Sequence, residues 1–323
     1  MSYDLVAFGE ALLDLFPDVR GGYAGVRSFT VWPGGAPANV VQGVASTGAR
    51  TLFLGKVGPD PLGDGLLTRM AERGVDVARV VRSTGTPTGV TFVVLQPDGE
   101  RSFFPYRHLA ADKEIGPDDI PADVFHGARV VHLGANCMAL PASDQATSRV
   151  LELAVRGGAC VSFDPNLRRH FHLGSPAVME RVRALAGGAH LVKLSREETE
   201  PLYGSLDAML ARLFAGPAQL VVETRDREGA AWWTRDGRAG TDAGFPRDVV
   251  DATGAGDAFM AGLLSALLAG GWPPEGLHAL STEALAAAVR SGNRFGAHCV
   301  GLVGAAAGWP ALAPEGSDPR AWH

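Results

Sequence analysis

The stretch DATGAGDAF, Asp251 to Phe259, puts two acids and two glycines into nine positions, just before an apolar helical run through AFMAGLLSALLAGG (Ala258 to Gly271). A helix N-terminus leaves backbone N–H groups unpaired and carries partial positive charge, so it favours anions. Gly254 and Gly256 let a phosphate approach without a Cβ in the way. Asp257 would repel that phosphate. The two demands are reconciled if the anion is a transferring phosphoryl group and Asp257 faces the incoming hydroxyl as its proton acceptor. The same nine residues also suit a plain N-capped helix with an acid in its first turn.

Around this stretch, short apolar runs alternate with helical patterns. YDLVAFG (Tyr3 to Gly9), TLFLGKVG (Thr51 to Gly58), RVVHLGA (Arg129 to Ala135), ACVSFDPN (Ala159 to Asn166), HLVKLS (His190 to Ser195) and QLVVET (Gln219 to Thr224) read as buried strands. Helical stretches fall between them, such as Ala142 to Arg156 with Leu151 and Val155 four apart. That alternation predicts a mostly parallel sheet with helices on both faces. YAGVRSFTVWPGG (Tyr23 to Gly35) and TGVTFVVLQPDGERSFFPYR (Thr88 to Arg107) break the rhythm, and PDGE (Pro97 to Glu100) reads as a hairpin turn. Both stretches together predict a small β-appendage from about 20–35 and 88–110 on a single 1–323 domain. The tail after Gly308 reads as an exposed end.

Open parallel sheets bind ligands at the carboxyl ends of their strands. DPNLR (Asp164 to Arg168) and KLSREE (Lys193 to Glu198) follow two such strands, so three polar loops can converge on one rim. In VWPGGAPAN, Gly34 and Gly35 precede Pro37, which suits a first helical turn, and Asn39 projects from that turn. A polar small molecule could be held there, or Asn39 could cap locally. No Gly-x-x-x-x-Gly-Lys-Ser/Thr occurs, so the chain is not a P-loop protein.

Composition narrows the class. The 323 residues are 46% hydrophobic, enough for a sizeable core, and the net charge of -6 argues against nucleic-acid binding. Cys137, Cys160 and Cys299 lie far apart, which suits a reducing cytosol and core packing rather than zinc. The first residues carry acids where a signal peptide carries bases, and no apolar run reaches the ~20 residues of a bilayer span. The expectation is a soluble, cytoplasmic protein with no membrane partner.

Together these segments resemble the ribokinase-like carbohydrate kinases, the PfkB group, over nearly the whole chain. The glycine-rich signature resembles Gly34 to Gly65 and the C-terminal one Asp248 to Gly262, with Ala252 where the family has threonine. The resemblance implies a Rossmann-like three-layer α/β body with a β-sheet lid, and ATP with Mg²⁺ as cofactors. It implies that Gly254, Ala255 and Gly256 form the anion hole, that Asp257 is the base, and that Arg168 contacts the phosphoryl region. Lys193, Ser195, Thr224, Gly229 and Asn293 fall on the nucleotide side. Ser195 and Glu198 match the ends of an Asn-x-x-Glu element that organises Mg²⁺ through water. Asp251 and the Thr253 carbonyl match a monovalent-cation site, K⁺ in kind. Asp226 departs from the family, which usually has glycine there beside the nucleotide phosphates.

GEALLDLFP (Gly9 to Pro17) resembles the fructokinase start, with Asp14 accepting hydrogen bonds from sugar hydroxyls, and GGAPAN and YRHLAAD (Tyr106 to Asp112) also resemble fructokinases. Gly34, Gly35, Asn39 and Arg107 complete the implied sugar site. A matching arginine clamps a carboxylate in 2-keto-3-deoxygluconate kinases, the alternative; Arg107 could also be a solvated hairpin residue. A non-catalytic sugar-binding relative is the reading from another class. Lids of this type pair into dimers, so a homodimer through the lid is expected.

Overall fold

The computed structural model describes residues 2–19, 21–95, 101–135, 138, 140–167, 175–272 and 276–305. The chain begins with β1 (Leu5–Phe8), β2 (Leu12–Pro17), β3 (Phe29–Gly34), α1 (Ala36–Ala45), β4 (Thr51–Leu54), β5 (Lys56–Val57) and α2 (Pro61–Glu72). Then come β6 (Val75–Asp76), β7 (Val81–Arg82), β8 (Gly89–Leu95), β9 (Arg101–Tyr106) and β10 (Val130–Gly134). The second half alternates through α3 (Pro141–Arg156), β11 (Cys160–Asp164), α4 (Pro176–Ala186), β12 (Leu191–Ser195), α5 (Arg196–Tyr203), α6 (Leu206–Ala215) and β13 (Leu220–Thr224). It continues with β14 (Ala230–Thr234), β15 (Ala239–Asp242), α7 (Ala255–Ala269) and α8 (Thr282–Val300).

Among the described residues nine strands make the central sheet, ordered β15-β14-β13-β12-β11-β10-β1-β4-β6. It is parallel from β6 to β13, and β14 and β15 are antiparallel. Successive residues of a strand point to opposite faces, and β1 shows the result. Leu5 and Ala7 join a core with α1, α2, α7 and α8, while Val6 and Phe8 join another with α3 to α6. All six apolar runs are strands, and Gly55 divides the second into β4 and β5. α7 is buried on nearly every side, as its uniformly apolar sequence requires. Glycines on α8 let it approach: a Cβ on Gly292 would lie 2.9 Å from the Phe259 ring.

A second, four-stranded sheet is ordered β3-β2-β8-β9. The sequence places its strands within 20–35 and 88–110, but β2 (Leu12–Pro17) is also a member and pairs with β3 and β8. LLDLFP is apolar on both faces apart from Asp14, so it lacks the alternation that marks a half-exposed strand. β8 and β9 pair antiparallel; the expected hairpin turn at 97–100 lies outside the described residues, as do the tail after Gly308, Arg168 and Cys137. Cys160 and Cys299 are free thiols pushed up to about 11 and about 12, chiefly by burial, which agrees with packing roles. Among the described residues no helix is long and apolar enough to cross a membrane.

Candidate active site

Strand order reverses around β1, which lies between β10 and β4, and the N-terminus of α1 sits over that crevice. Pro37 packs so closely there that a Cβ on Gly9 would lie 2.4 Å from its ring. Gly35 turns β3 into α1 with φ +104°, and a Cβ on it would strike the Glu10 carbonyl oxygen at 2.3 Å. The Glu10 carboxylate accepts from the Ala36 amide at 3.0 Å, fixing the helix start. One turn on, Asn39 Nδ2 donates to Asp257 Oδ2 at 2.8 Å. Asn166 Nδ2 donates to Asp257 Oδ1 at 3.3 Å. The carboxylate is thus oriented by two amides far apart in sequence, one from α1 and one from the loop after β11.

Asp257 lies in the first turn of α7, and Gly254 before it is left-handed with φ +79°. A Cβ on Gly254 would fall 2.3 Å from Ala305 Cβ, so only glycine fits. Gly256 faces Lys193, whose Nζ lies 3.1 Å from where a Cβ would stand. Lys193 Nζ is itself bonded to Asp164 Oδ2 at 3.0 Å, both groups buried. Burial alone would push the ammonium down, but the carboxylates of Asp164, Glu198 and Asp257 outweigh it and hold it above the usual lysine value. A lasting cation therefore adjoins the glycine loop.

On the small sheet, Asp14 is buried in β2 opposite Trp32. Gly34 leaves room for it, since a Cβ there would lie 2.5 Å from Asp14 Oδ2. Arg107 follows β9 at the base of the same sheet. It is buried and ion-paired with Asp112, so the solvated reading of Arg107 does not hold.

The other residues expected on the nucleotide side gather along β12 to β15 and α8. Ser195 and Thr224 are register partners at the ends of β12 and β13. Gly229 closes the next turn with φ +83°, and Asn293 donates to Asp242 Oδ1 at 2.7 Å beside it. Asp226 has φ +50°, the left-handed region that glycine adopts most readily, in line with the glycine that the family resemblance implies there. Aspartate tolerates it better than most residues.

The description pfkB family carbohydrate kinase matches residues 2–312. The chain belongs to the pfkB family of carbohydrate kinases. It is an ATP-dependent phosphotransferase with a carbohydrate acceptor. It is 35% identical over 264 residues to the probable fructokinase-4 of Arabidopsis thaliana, covering 80% of this chain and 81% of that protein. It is 34% identical over 268 residues to fructokinase-2 of Solanum habrochaites, with 82% and 81% covered. The crystal structure of a fructokinase with bound ATP from Xylella fastidiosa superposes with a TM-score of 0.86 at 32% identity, covering 96% of each chain.

In this pfkB kinase, the expected metal residues have structural bonds as well. Glu198 accepts from the Leu167 amide and, at 2.7 Å, from the Ser195 amide, closing a capping box on α5. Among the described residues no cluster of three or more His, Cys, Asp or Glu is placed to hold a metal alone. Mg²⁺ keeps several waters and binds through a carboxylate or two plus substrate phosphates, and Glu198 offers a buried carboxylate at this rim. Asp251 accepts from Thr253 N at 2.8 Å and Gly304 N at 2.7 Å, and the Thr253 carbonyl accepts from the Cys299 thiol at 3.4 Å. These bonds tie the glycine loop to the turn at 301–305.

Asn166, Asp164, Glu10 and Asp112 were not singled out by the sequence. For Asn166 a signal existed: DPN directly after a buried strand is a loop able to hold a left-handed residue, and Asn166 has φ +43°.

Proposed function

We propose that this kinase is a fructokinase, transferring the γ-phosphoryl group of ATP to a hydroxyl of fructose. The observation that carries this reading is the Asp257 carboxylate, held by Asn39 and Asn166 at the mouth of α7 with Asp14 along the adjoining glycine turn. Asp257 takes the proton of the attacking hydroxyl, and the N–H groups at Gly254 to Gly256 with Lys193 bear the phosphoryl charge. Arg168, outside the described residues, is assigned to the phosphoryl group by the family resemblance alone. Ser195, Thr224, Gly229 and Asn293 would line the nucleotide, and Glu198 would help to hold Mg²⁺. Bound Mg²⁺ neutralises phosphate charge. The four-stranded sheet serves as a lid that excludes water.

ATP consumption measured across fructose, other neutral sugars and 2-keto-3-deoxygluconate tests the reading; turnover of the keto-acid well above fructose would overturn it. The Asp14→Ala variant should raise KM for fructose about 10- to 150-fold, the equivalent of about 1.5–3 kcal/mol for hydrogen bonds to a charged group. A KM within twofold of wild type removes Asp14 from the sugar site. A sugar-binding relative without catalysis finds little support, because a binder has no use for a base at an anion loop.

We also propose a homodimer through the lid. Its outer face exposes Tyr23, Phe29, Phe104 and Tyr106, and Phe92 packs edge-on against three of its aromatic neighbours. A patch of this kind suits burial against a second copy. Sedimentation should give twice the 33.7 kDa chain mass, and Phe104→Glu should give a monomer. Monomeric wild type at micromolar concentration would refute the dimer.

A further inference from the structure

The Arg107 guanidinium is not waiting for an acid. It is joined to Asp112 in a pair whose carboxylate side chain has no exposed surface. The pair sits at the sugar end of the lid: Asp112 Oδ1 lies 2.8 Å from where a Cβ on Gly89 would stand, and Gly89 is the register partner of Leu12, two residues before Asp14. Other charges in the neighbourhood are Glu10 and Lys113, both felt by the Asp112 carboxylate. A substrate carboxylate at Arg107 would either draw the guanidinium from the buried Asp112 carboxylate or add a second negative charge beside it, with Glu10 also near. Separating a buried pair in this way is costly. A neutral hydroxyl needs no such exchange, because it adds a hydrogen bond without competing for charge.

We propose that Asp112 is a positioning residue that sets the charge class of the substrate by occupying Arg107, so that neutral sugars are accepted and sugar acids refused. The inference rests on the sugar-kinase reading of the lid pocket but not on fructose as the particular sugar. It makes the arginine alone an insufficient mark of an acid-binding pocket. What decides is whether a carboxylate of the protein already holds it.

Two measurements test the proposal. In wild type, 2-keto-3-deoxygluconate and its neutral counterpart 3-deoxyfructose compete with fructose; the acid is expected to inhibit about 10-fold more weakly or worse. Equal or tighter inhibition by the acid overturns the proposal, and this measurement requires no variant to fold. The second compares the ratio of kcat/KM for the acid to that for fructose. Asp112→Asn should raise that ratio about 10-fold or more, and the double change Asp112→Asn with Arg107→Gln should return it towards wild type. An unchanged ratio in the single variant, or equal ratios in both variants, counts against the role of Asp112. Failure of the fructose reading looks different: another neutral sugar would then be the preferred substrate, with the acid still refused.

Discussion

Replacing Asp257 by asparagine is expected to lower kcat by about 10²–10⁴-fold, with KM for sugar and ATP changed only a few fold. The substitution keeps size and polarity but cannot take a proton. The surroundings accommodate it, because Asn39 Oδ1 is buried without a hydrogen-bond partner among the described residues and a turn of that amide would offer the new side chain an acceptor. An unchanged melting temperature would show that the fold is intact. A kcat near that of wild type would remove Asp257 as the base and leave it a structural hub between Asn39 and Asn166.

Lys193→Met should destabilise the protein by about 3–5 kcal/mol, since it strands the Asp164 carboxylate in the core with Glu198 and Asp257 nearby. Denaturant unfolding measures this. Adding Asp164→Leu should recover much of the loss, because a buried pair replaced as a whole by apolar groups is often neutral. The expectation for Lys193 as a plain ATP ligand differs: stability would be unchanged and only KM for ATP would rise. That outcome would show that the pair with Asp164 is incidental.

The contrast between Asp257 and Lys193 shows which parts of the molecule the sequence could disclose. Asp257 is legible because its role depends on neighbours in the chain: two glycines and a helix start lie within six residues of it. The sheet was legible for the same local reason, as buried strands and amphipathic helices carry their periods in short windows. Lys193 is placed on the nucleotide side by the family resemblance alone, and its bond to Asp164 joins positions 29 apart. β2 escaped because its membership of the small sheet depends on partners at 29–34 and 89–92. Glu198 was legible only in part. The Ser195–Glu198 spacing can be read, whereas the bond to the Leu167 amide comes from a different loop. Arg107 and Asp112 are only five residues apart, but nothing in the spacing says that both turn inward.

The turn at 301–305 has a bearing on how this enzyme can change. Ala305 abuts Gly254, Gly304 donates to Asp251, and a Cβ on Gly304 would lie 2.7 Å from the Trp32 indole. Positions 254, 304, 305 and 32 therefore share one small volume and are not free to vary independently. A larger side chain at 305 presses on the glycine loop, and a change at Trp32 reaches the same loop from the lid. On the proposed roles of the small sheet and the glycine loop, selection for a new sugar that remodels the sheet around Trp32 alters the loop as well, unless a compensating change arises at 301–305. Libraries built only from residues that touch substrate would leave out the positions where such compensation has to occur.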